Sequence, residues 1–131
     1  MAQREIELIL LRATARALAI PIWLMGLDGR LLYYNEAAER ILGKRFDEVG
    51  DVLGEELATL FQATAPDGSA ISAEELPINI ALQKQRPAHL PMRICGMDGV
   101  WRRIEVTSFP VEGAGGRHLG AVAIFWEVET T

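Results

Sequence analysis

The sequence contains few of the residues from which most catalytic and metal sites are built. Cys95 is the only cysteine, so an intramolecular disulfide and a cysteine-rich metal site are both excluded. Only two histidines occur, His89 and His118, and there is no Gly-rich phosphate loop, His-Glu-x-x-His or Gly-x-Ser-x-Gly motif. The adjacent carboxylates Glu55-Glu56 and Glu74-Glu75 would diverge by about 100° on a helix, which suits solvated faces better than acid–base pairs. We therefore expect no enzymatic activity.

Long apolar runs and an excess of positive charge are also missing. Charged residues interrupt the N-terminal segment and no 18-residue apolar span occurs, so we expect no secretory signal, no membrane insertion and a cytoplasmic location. The net charge of −5 argues against a nucleic-acid surface, and the basic pairs Lys44-Arg45 and Arg102-Arg103 fit solvated edges. The 131 residues, half of them apolar, suffice for one domain with a single core.

A hairpin that leads directly into a helix is the most informative local signal. Residues 22–27 and 31–34 are apolar and flank Asp28-Gly29, which predicts two strands joined by a tight turn. Asn35 then stands where a helix N-cap is expected, before a short amphipathic helix over 36–42.

The rest of the chain predicts several helices followed by three strands. Because strands joined by short turns must be antiparallel, we expect an α+β fold with one five-stranded antiparallel sheet and short helices on one face. The predicted segments are a helix over 3–19, broken helices over 46–61, one turn at Ser72, a helix over 77–85, and strands over 89–95, 100–109 and 118–128.

The N-terminal helix is apolar on two sides and therefore needs two covers. We expect its own domain to cover one side and a partner subunit to cover the other. The first stripe consists of Ile6, Leu10, Ala13 and Ala17, and the second of Leu8, Leu11, Ala15 and Leu18.

The residues that carry this order of elements also resemble a known family. The segments GRLLYYNEAA at 29–38, EELP at 74–77 with Ala81-Leu82, Asp98-Gly99, and GAVAIF at 120–125 are similar to the PAS domain. The resemblance implies that residues 20–131 form a PAS domain, in which short helices and the sheet enclose a cavity, and that residues 1–19 form a helix for dimerisation or packing. Many PAS domains end with Asp-Ile-Thr, whereas this chain has Glu127-Val128-Glu129, so Glu127 takes the place of the aspartate.

Alternation along the strands predicts which side chains face the cavity. Small residues leave volume, so we assign the alanine face of the last strand to the inside, and we expect Ile124 and Trp126 under the N-terminal helix or at a dimer interface. Ser108, Tyr34 and Asn79 are candidate polar contacts in an otherwise apolar pocket. The candidate ligand-binding residues are Trp23, Met25, Asn79, Leu90, Met92, Ile94, Ile104, Val106, Ser108, Ala121, Ala123 and Phe125.

The pattern argues against two cofactors. Haem requires an axial ligand, and the helix over 77–85, which supplies it in PAS haem sensors, has no histidine. Covalent flavin photochemistry requires a reactive cysteine within a helical motif, whereas Cys95 lies in a predicted strand and is expected to face away from the cavity as a semi-buried filler. A fatty-acid-like ligand and a non-covalently bound flavin remain open.

The resemblance implies a sensory or regulatory domain. It would bind a small, apolar ligand, or mediate dimerisation through the N-terminal helix and the outer sheet face, or do both. It would thereby relay a signal to an attached effector such as a histidine kinase, cyclase, phosphatase or transcription regulator. One alternative is a ligand-free interaction module with a filled core. Another is a small cone-shaped α+β enzyme, which would need an ionisable group inside the cavity.

Overall fold

The computed structural model describes residues 3–128, and it describes side chains from Ile9 onward. The side chains of the predicted stripe residues Ile6 and Leu8 lie outside that description, as does the whole of Glu129. The regular elements are α1 (Gln3–Arg16), β1 (Ile22–Gly26), β2 (Leu31–Tyr34), α2 (Glu36–Leu42), α3 (Phe46–Val49), α4 (Leu57–Leu60), α5 (Pro77–Lys84), β3 (Ala88–Cys95), β4 (Trp101–Glu112) and β5 (His118–Glu127), with single 3₁₀ turns at Gly54–Glu56, Ala73–Glu75 and Ala114–Gly116.

The five strands form one antiparallel sheet in the order β2-β1-β5-β4-β3. The first hairpin therefore joins the C-terminal three strands through pairing of β1 with β5, so the first and last strands lie side by side at the centre of the sheet. The predicted fold class is confirmed: short helices lie on one face of the sheet and α1 is present. As predicted, the helical segment over 46–61 is interrupted at Gly50 and Gly54, and the segment over 72–85 is interrupted before Pro77.

Local sequence signals explain the start of the fold. The β1–β2 turn closes with the Gly26 amide donating to the Arg30 carbonyl at 2.8 Å, and Gly29 adopts φ +82°, which an L side chain rarely adopts. At the end of α2, Gly43 has φ +80° and its amide donates to the Glu39 carbonyl, so this glycine ends the helix.

Asn35 joins α1, the hairpin and α2. Its amide oxygen accepts hydrogen bonds from the backbone N–H groups of Ile22 at 3.1 Å and Ala38 at 3.0 Å, so it is the N-cap of α2. Its amide nitrogen donates to the carbonyls of three residues at and after the end of α1, which are Ala15 at 3.0 Å, Leu18 at 3.3 Å and Ile20 at 2.8 Å.

Apolar residues cover both faces of the sheet at its centre. The main core lies between the inner face and helices α2 to α5, and it contains Trp23, Met25 and Phe125. A smaller core lies on the outer face, where Ala15 of α1 packs with Ile22, Leu24 and Val122, and Leu11 and Ile124 flank it. Alternation along β1 and β5 thus separates the two cores.

Two boundaries differ from the sequence-based prediction. Helix α1 ends at Arg16 and not at residue 19, because the bonds from Asn35 draw the chain away from the helix after Ala15. Strand β4 extends beyond residue 109 to Glu112 and includes Pro110. Proline is tolerated there because β3 pairs with β4 only as far as Ser108, so no ladder with β3 is interrupted.

Candidate functional site

The inner face of the sheet and the helices form the walls of an apolar cavity of about 80 Å³. A cavity of this size exceeds the roughly 10–15 Å³ needed by one water molecule, and apolar walls offer water few partners. The lining residues come from the sheet and from the segments between α2 and α5: Trp23, Leu42, Leu57, Phe61, Ala63, Leu76, Pro77, Ile78, Met92, Ile94, Ile104, Val106, Ala123 and Phe125.

Aromatic packing fixes Trp23 at one side of this cavity. Its ring is stacked on Tyr34 with centroids 5.2 Å apart, and it meets Phe61 edge-on at 6.2 Å. These are preferred aromatic geometries, so the indole is held between β2 and the residue that follows α4.

Two buried polar atoms on this face have no hydrogen-bond partner within the described residues. They are the indole nitrogen of Trp23 and the hydroxyl of Ser108, which is fully buried. Trp23 pairs with Ala123 across β1 and β5, and Ala123 pairs with Ser108 across β5 and β4, so the three residues form one row across the inner face. An unpaired buried polar group costs free energy, and a bound molecule could remove that cost.

The cavity lining includes seven of the twelve predicted ligand-binding residues. Four others are buried or half-buried on the inner face beside it: Met25 and Ala121 belong to the main core, Leu90 packs against it, and Ser108 lies in the row already described. The seven lining residues are Trp23, Met92, Ile94, Ile104, Val106, Ala123 and Phe125.

Asn79 and Tyr34, two of the predicted polar contacts, are occupied elsewhere. The Asn79 amide donates to the carbonyls of Gly54 and Ala73, so it ties α5 to both preceding 3₁₀ turns. The Tyr34 hydroxyl donates to the Lys44 carbonyl at 2.7 Å. Burial is the largest of the effects that raise the pKa of Tyr34 to about 12, followed by nearby carboxylates. Of the three predicted polar contacts, only Ser108 has an unpaired polar atom.

The sequence model of the PAS domain family matches residues 20–128, which is most of the chain. The chain belongs to the PAS domain family. PAS domains are sensory and signalling modules, and this chain is such a domain. Members of the family are generally non-catalytic. No curated protein sequence matches it.

Solved structures agree on the fold. The PAS domain of BvgS from Bordetella pertussis is 16% identical with a TM-score of 0.63, covering 95% of this chain and 87% of that one. The PAS domain of nitrogen regulation protein NR(II) from Vibrio parahaemolyticus is 18% identical with a TM-score of 0.61, covering 91% and 98%. The light-state dimer of the fungal blue-light photoreceptor Vivid is 17% identical with a TM-score of 0.64, covering 94% of each chain.

Several residues that line the cavity of this PAS domain were not among the predicted ones. Leu57 and Phe61 are spaced by four residues, which places both on one side of a helical turn, so this spacing was the available signal. Gly50 and Gly54, which precede Leu57, shortened the predicted helix too much for a clear periodicity. The remaining unpredicted lining residues are Leu42, Ala63, Leu76, Pro77 and Ile78.

The residues with reactive or metal-binding side chains are dispersed. Among the side chains that the structure describes, from Ile9 to Val128, no three His, Cys, Asp or Glu come together as metal ligands would. Cys95 is buried, and it pairs with Trp101 on the outer side of β3 and β4, away from the cavity. His89 lies 2.8 Å from Glu105 on the same outer face.

One side of α1 and part of the outer sheet face carry exposed apolar side chains. Ile9 and Leu10 are 53% and 63% exposed, while Ala15 on the opposite side of α1 is buried. On the sheet, Phe109 and Trp126 are each 39% exposed. The second predicted stripe of α1 therefore meets the domain through Leu11 and Ala15. The described members of the first stripe, which are Leu10, Ala13 and Ala17, face outward. In the part of the chain that the structure describes, no helix is long and apolar enough to cross a membrane.

Proposed function

We propose that this PAS domain is a non-catalytic sensor whose inner cavity binds a small, mainly apolar molecule with one hydrogen-bond acceptor. The observation that carries the proposal is the apolar cavity beside two buried, unpaired polar atoms, Trp23 Nε1 and Ser108 Oγ. An indole N–H can only donate, whereas a hydroxyl can donate or accept. A carbonyl or ether oxygen could therefore accept a hydrogen bond from either group.

The cavity volume restricts the ligand class. About 80 Å³ is well below the roughly 300–1,000 Å³ of sites that enclose drug-sized ligands. A small ketone, ester or cyclic ether fits this volume better than a flavin, haem or long acyl chain. A larger ligand would have to separate α4 and α5 from the sheet.

The signal would travel through β5 to the outer face. Ala123 and Phe125 line the cavity, while Val122 and Ile124 alternate with them and pack beneath α1. A ligand that favours one packing of β5 over another would therefore change how α1 is held. We propose that α1 and the outer sheet face pair with a second copy of the chain. The change in this pairing would then pass the signal to an effector such as a histidine kinase, cyclase, phosphatase or transcription regulator.

Native mass spectrometry and NMR test the binding step. Native spectra of the purified chain would reveal a retained small molecule by its added mass. In an NMR titration, cyclopentanone should shift the Trp23 indole N–H resonance, and cyclopentane, which lacks the oxygen, should bind at least tenfold more weakly. Ala123→Leu, which adds volume inside the cavity, should abolish the shift, whereas Leu60→Gln on the exposed end of α4 should not. Equal binding of both probes would contradict the polar part of the proposal.

A ligand-free dimerisation module is the second candidate, and the exposed α1 side supports it. Changing both Ile9 and Leu10 to Glu should convert a dimer to a monomer in light scattering coupled to size exclusion, because it places charges on the proposed interface. Leu60→Glu puts the same charge on an exposed leucine elsewhere and should leave the mass unchanged. Unchanged association in the double variant would refute pairing through α1. A dimer that retains no molecule and does not respond to either probe would favour this candidate over sensing.

A further inference from the structure

Two arginines face each other across neighbouring strands on the outer side of the sheet. Arg93 of β3 pairs directly with Arg103 of β4, so both side chains project from the same face. Directly opposed side chains in an antiparallel pair are about 4.5–5.5 Å apart at Cβ, and like charges at this separation destabilise the sheet. The fold therefore brings together two cations that are ten residues apart in the sequence.

Neither of these two guanidinium groups has a carboxylate partner among the described residues. Arg93 lies over the ring of Trp101, with 5.3 Å to the centroid, and Arg103 is exposed. The neighbouring Arg102 differs, because it projects to the other face and contacts Asp98, Glu127 and the Ile41 carbonyl. Its charge is satisfied within the domain, whereas the charges of Arg93 and Arg103 remain available.

The two arginines lie in a groove at the end of β5. The groove has a volume of about 410 Å³ and is also lined by Pro66, Trp101, Glu127, Val128 and the ion-paired Arg102. The Trp101 side chain is 44% exposed and forms an apolar wall beside the charges. The Val128 amide donates to the Arg103 carbonyl at 2.9 Å, so the chain leaves the sheet directly alongside the groove.

We propose that this arginine groove binds an acidic peptide segment of a partner protein or effector domain. Carboxylates of the segment would pair with Arg93 and Arg103, since a guanidinium fork matches a carboxylate in bidentate geometry. An apolar side chain of the segment would pack on Trp101. A peptide fits this groove better than a free oxyanion does. A single phosphate is smaller than the groove and would leave the walls formed by Trp101 and Pro66 uncovered.

The rest of the domain strengthens the selectivity of such a site. The chain has a net charge of −5, so an acidic segment is repelled from most of the surface and accepted only where cations are concentrated. Arg103 and Phe109 are six residues apart along β4, which is roughly 20 Å. A peptide in the groove and a second copy on α1 and Phe109 therefore occupy different parts of the outer face.

The test uses a blocked peptide of sequence EEFEE and its uncharged counterpart QQFQQ, each titrated into the ¹⁵N-labelled chain. EEFEE should shift the resonances of Arg93, Trp101 and Arg103 and bind at least tenfold more tightly than QQFQQ, with weaker binding as salt is added. Arg103→Gln should weaken EEFEE binding at least fivefold. Arg86→Gln removes the same charge from an exposed site outside the groove and should change binding less than twofold.

Thermal unfolding separates lost binding from lost folding. Because Arg103→Gln relieves the cross-strand repulsion, its melting temperature should be equal to that of the parent chain or about 1–3 °C higher. Unchanged EEFEE binding in Arg103→Gln would overturn the proposal, as would equal binding of EEFEE and QQFQQ. Full displacement of EEFEE by equimolar inorganic phosphate would assign the groove to a small oxyanion and would also overturn it. None of these outcomes depends on whether the inner cavity binds a ligand.

Discussion

Replacement of Asn35 should uncouple α1 from the domain and lower its stability more than the loss of an ordinary helix cap. Asn35 is 1% exposed and its side chain makes five hydrogen bonds, two as acceptor and three as donor. The acceptor bonds hold the start of β1 and of α2, and the donor bonds hold carbonyls at the end of α1. The amide thus ties these three elements together.

The expected magnitude for Asn35→Ala is about 3.5–4 kcal/mol of unfolding free energy. Loss of the N-cap contributes about 1 kcal/mol. The Ile22 N–H and the Ala15 carbonyl lose partners in buried surroundings, at about 1 kcal/mol each. The carbonyls of Leu18 and Ile20 belong to exposed residues and can turn to water, so together they add only about 0.5–1 kcal/mol.

Asn35→Asp separates the two halves of this network. Aspartate retains the acceptor oxygen for Ile22 and Ala38 but places a second oxygen against three carbonyls, so it should destabilise the chain at pH 7 by about 2–4 kcal/mol. Repulsion from these carbonyls disfavours the charged form and raises the pKa of the new carboxyl in the folded state. Stability lost at pH 7 should therefore return in part as the pH falls towards 5, since the protonated carboxyl can donate one bond.

Urea unfolding followed by tryptophan fluorescence measures both variants, and hydrogen exchange of α1 amides reports the local effect. Asn79→Ala is a suitable comparison, because this buried asparagine makes its two side-chain hydrogen bonds to Gly54 and Ala73, which belong to neither α1 nor β1. It should leave exchange in α1 unchanged. If Asn35→Asp were as stable as the parent chain at pH 7, within about 0.5 kcal/mol, the donor bonds would not hold α1 as argued.

Two further predictions concern buried polar groups. Folding raises the pKa of Tyr34 from 10.0 to about 12, so the neutral phenol stabilises the fold below pH 10, and this contribution should disappear as the pH rises through 12. Tyr34→Phe loses the hydrogen bond to Lys44, but in denaturant titrations its stability should fall less between pH 10 and 12 than that of the parent chain. Arg102→Gln should lower the free energy of unfolding in urea by about 1–3 kcal/mol, because it removes a charged hydrogen bond to the Ile41 carbonyl. The hydrogen bond from Arg102 also lowers the pKa of Asp98, so NMR titration of the variant should show this pKa rising towards its ordinary value. A Tyr34→Phe profile parallel to that of the parent chain, or an unmoved Asp98 titration in Arg102→Gln, would contradict these assignments.

Short-range patterns predicted most of the fold. The Asp28-Gly29 turn, the Asn35 cap and the alternation of β4 each act within a few residues, and each was confirmed. Alternation along β1 also assigned Trp23 and Met25 correctly to the inner face of the sheet. These features could be predicted because backbone hydrogen bonding and side-chain alternation are set locally.

The cavity could be predicted only on its sheet side. The strand residues that line it followed from alternation. Leu57 begins α4 and Phe61 follows it, and this helix of one turn has too few residues to show a period. Asn79 was expected to face the pocket, but its position beside Gly54 depends on how two short segments pack. Such packing is decided by the sum of contacts between distant residues.

By itself, the sequence determined the order of the elements, the antiparallel sheet and the two faces of each strand. Only the tertiary structure decided which stripe of α1 meets the sheet, which polar atoms remain unpaired in the core, and that Arg93 stands opposite Arg103. The reason is physical: turns, caps and alternation depend on neighbours a few residues apart. A cavity or a charge pair instead depends on strand register and helix packing, which bring together side chains that no local pattern relates.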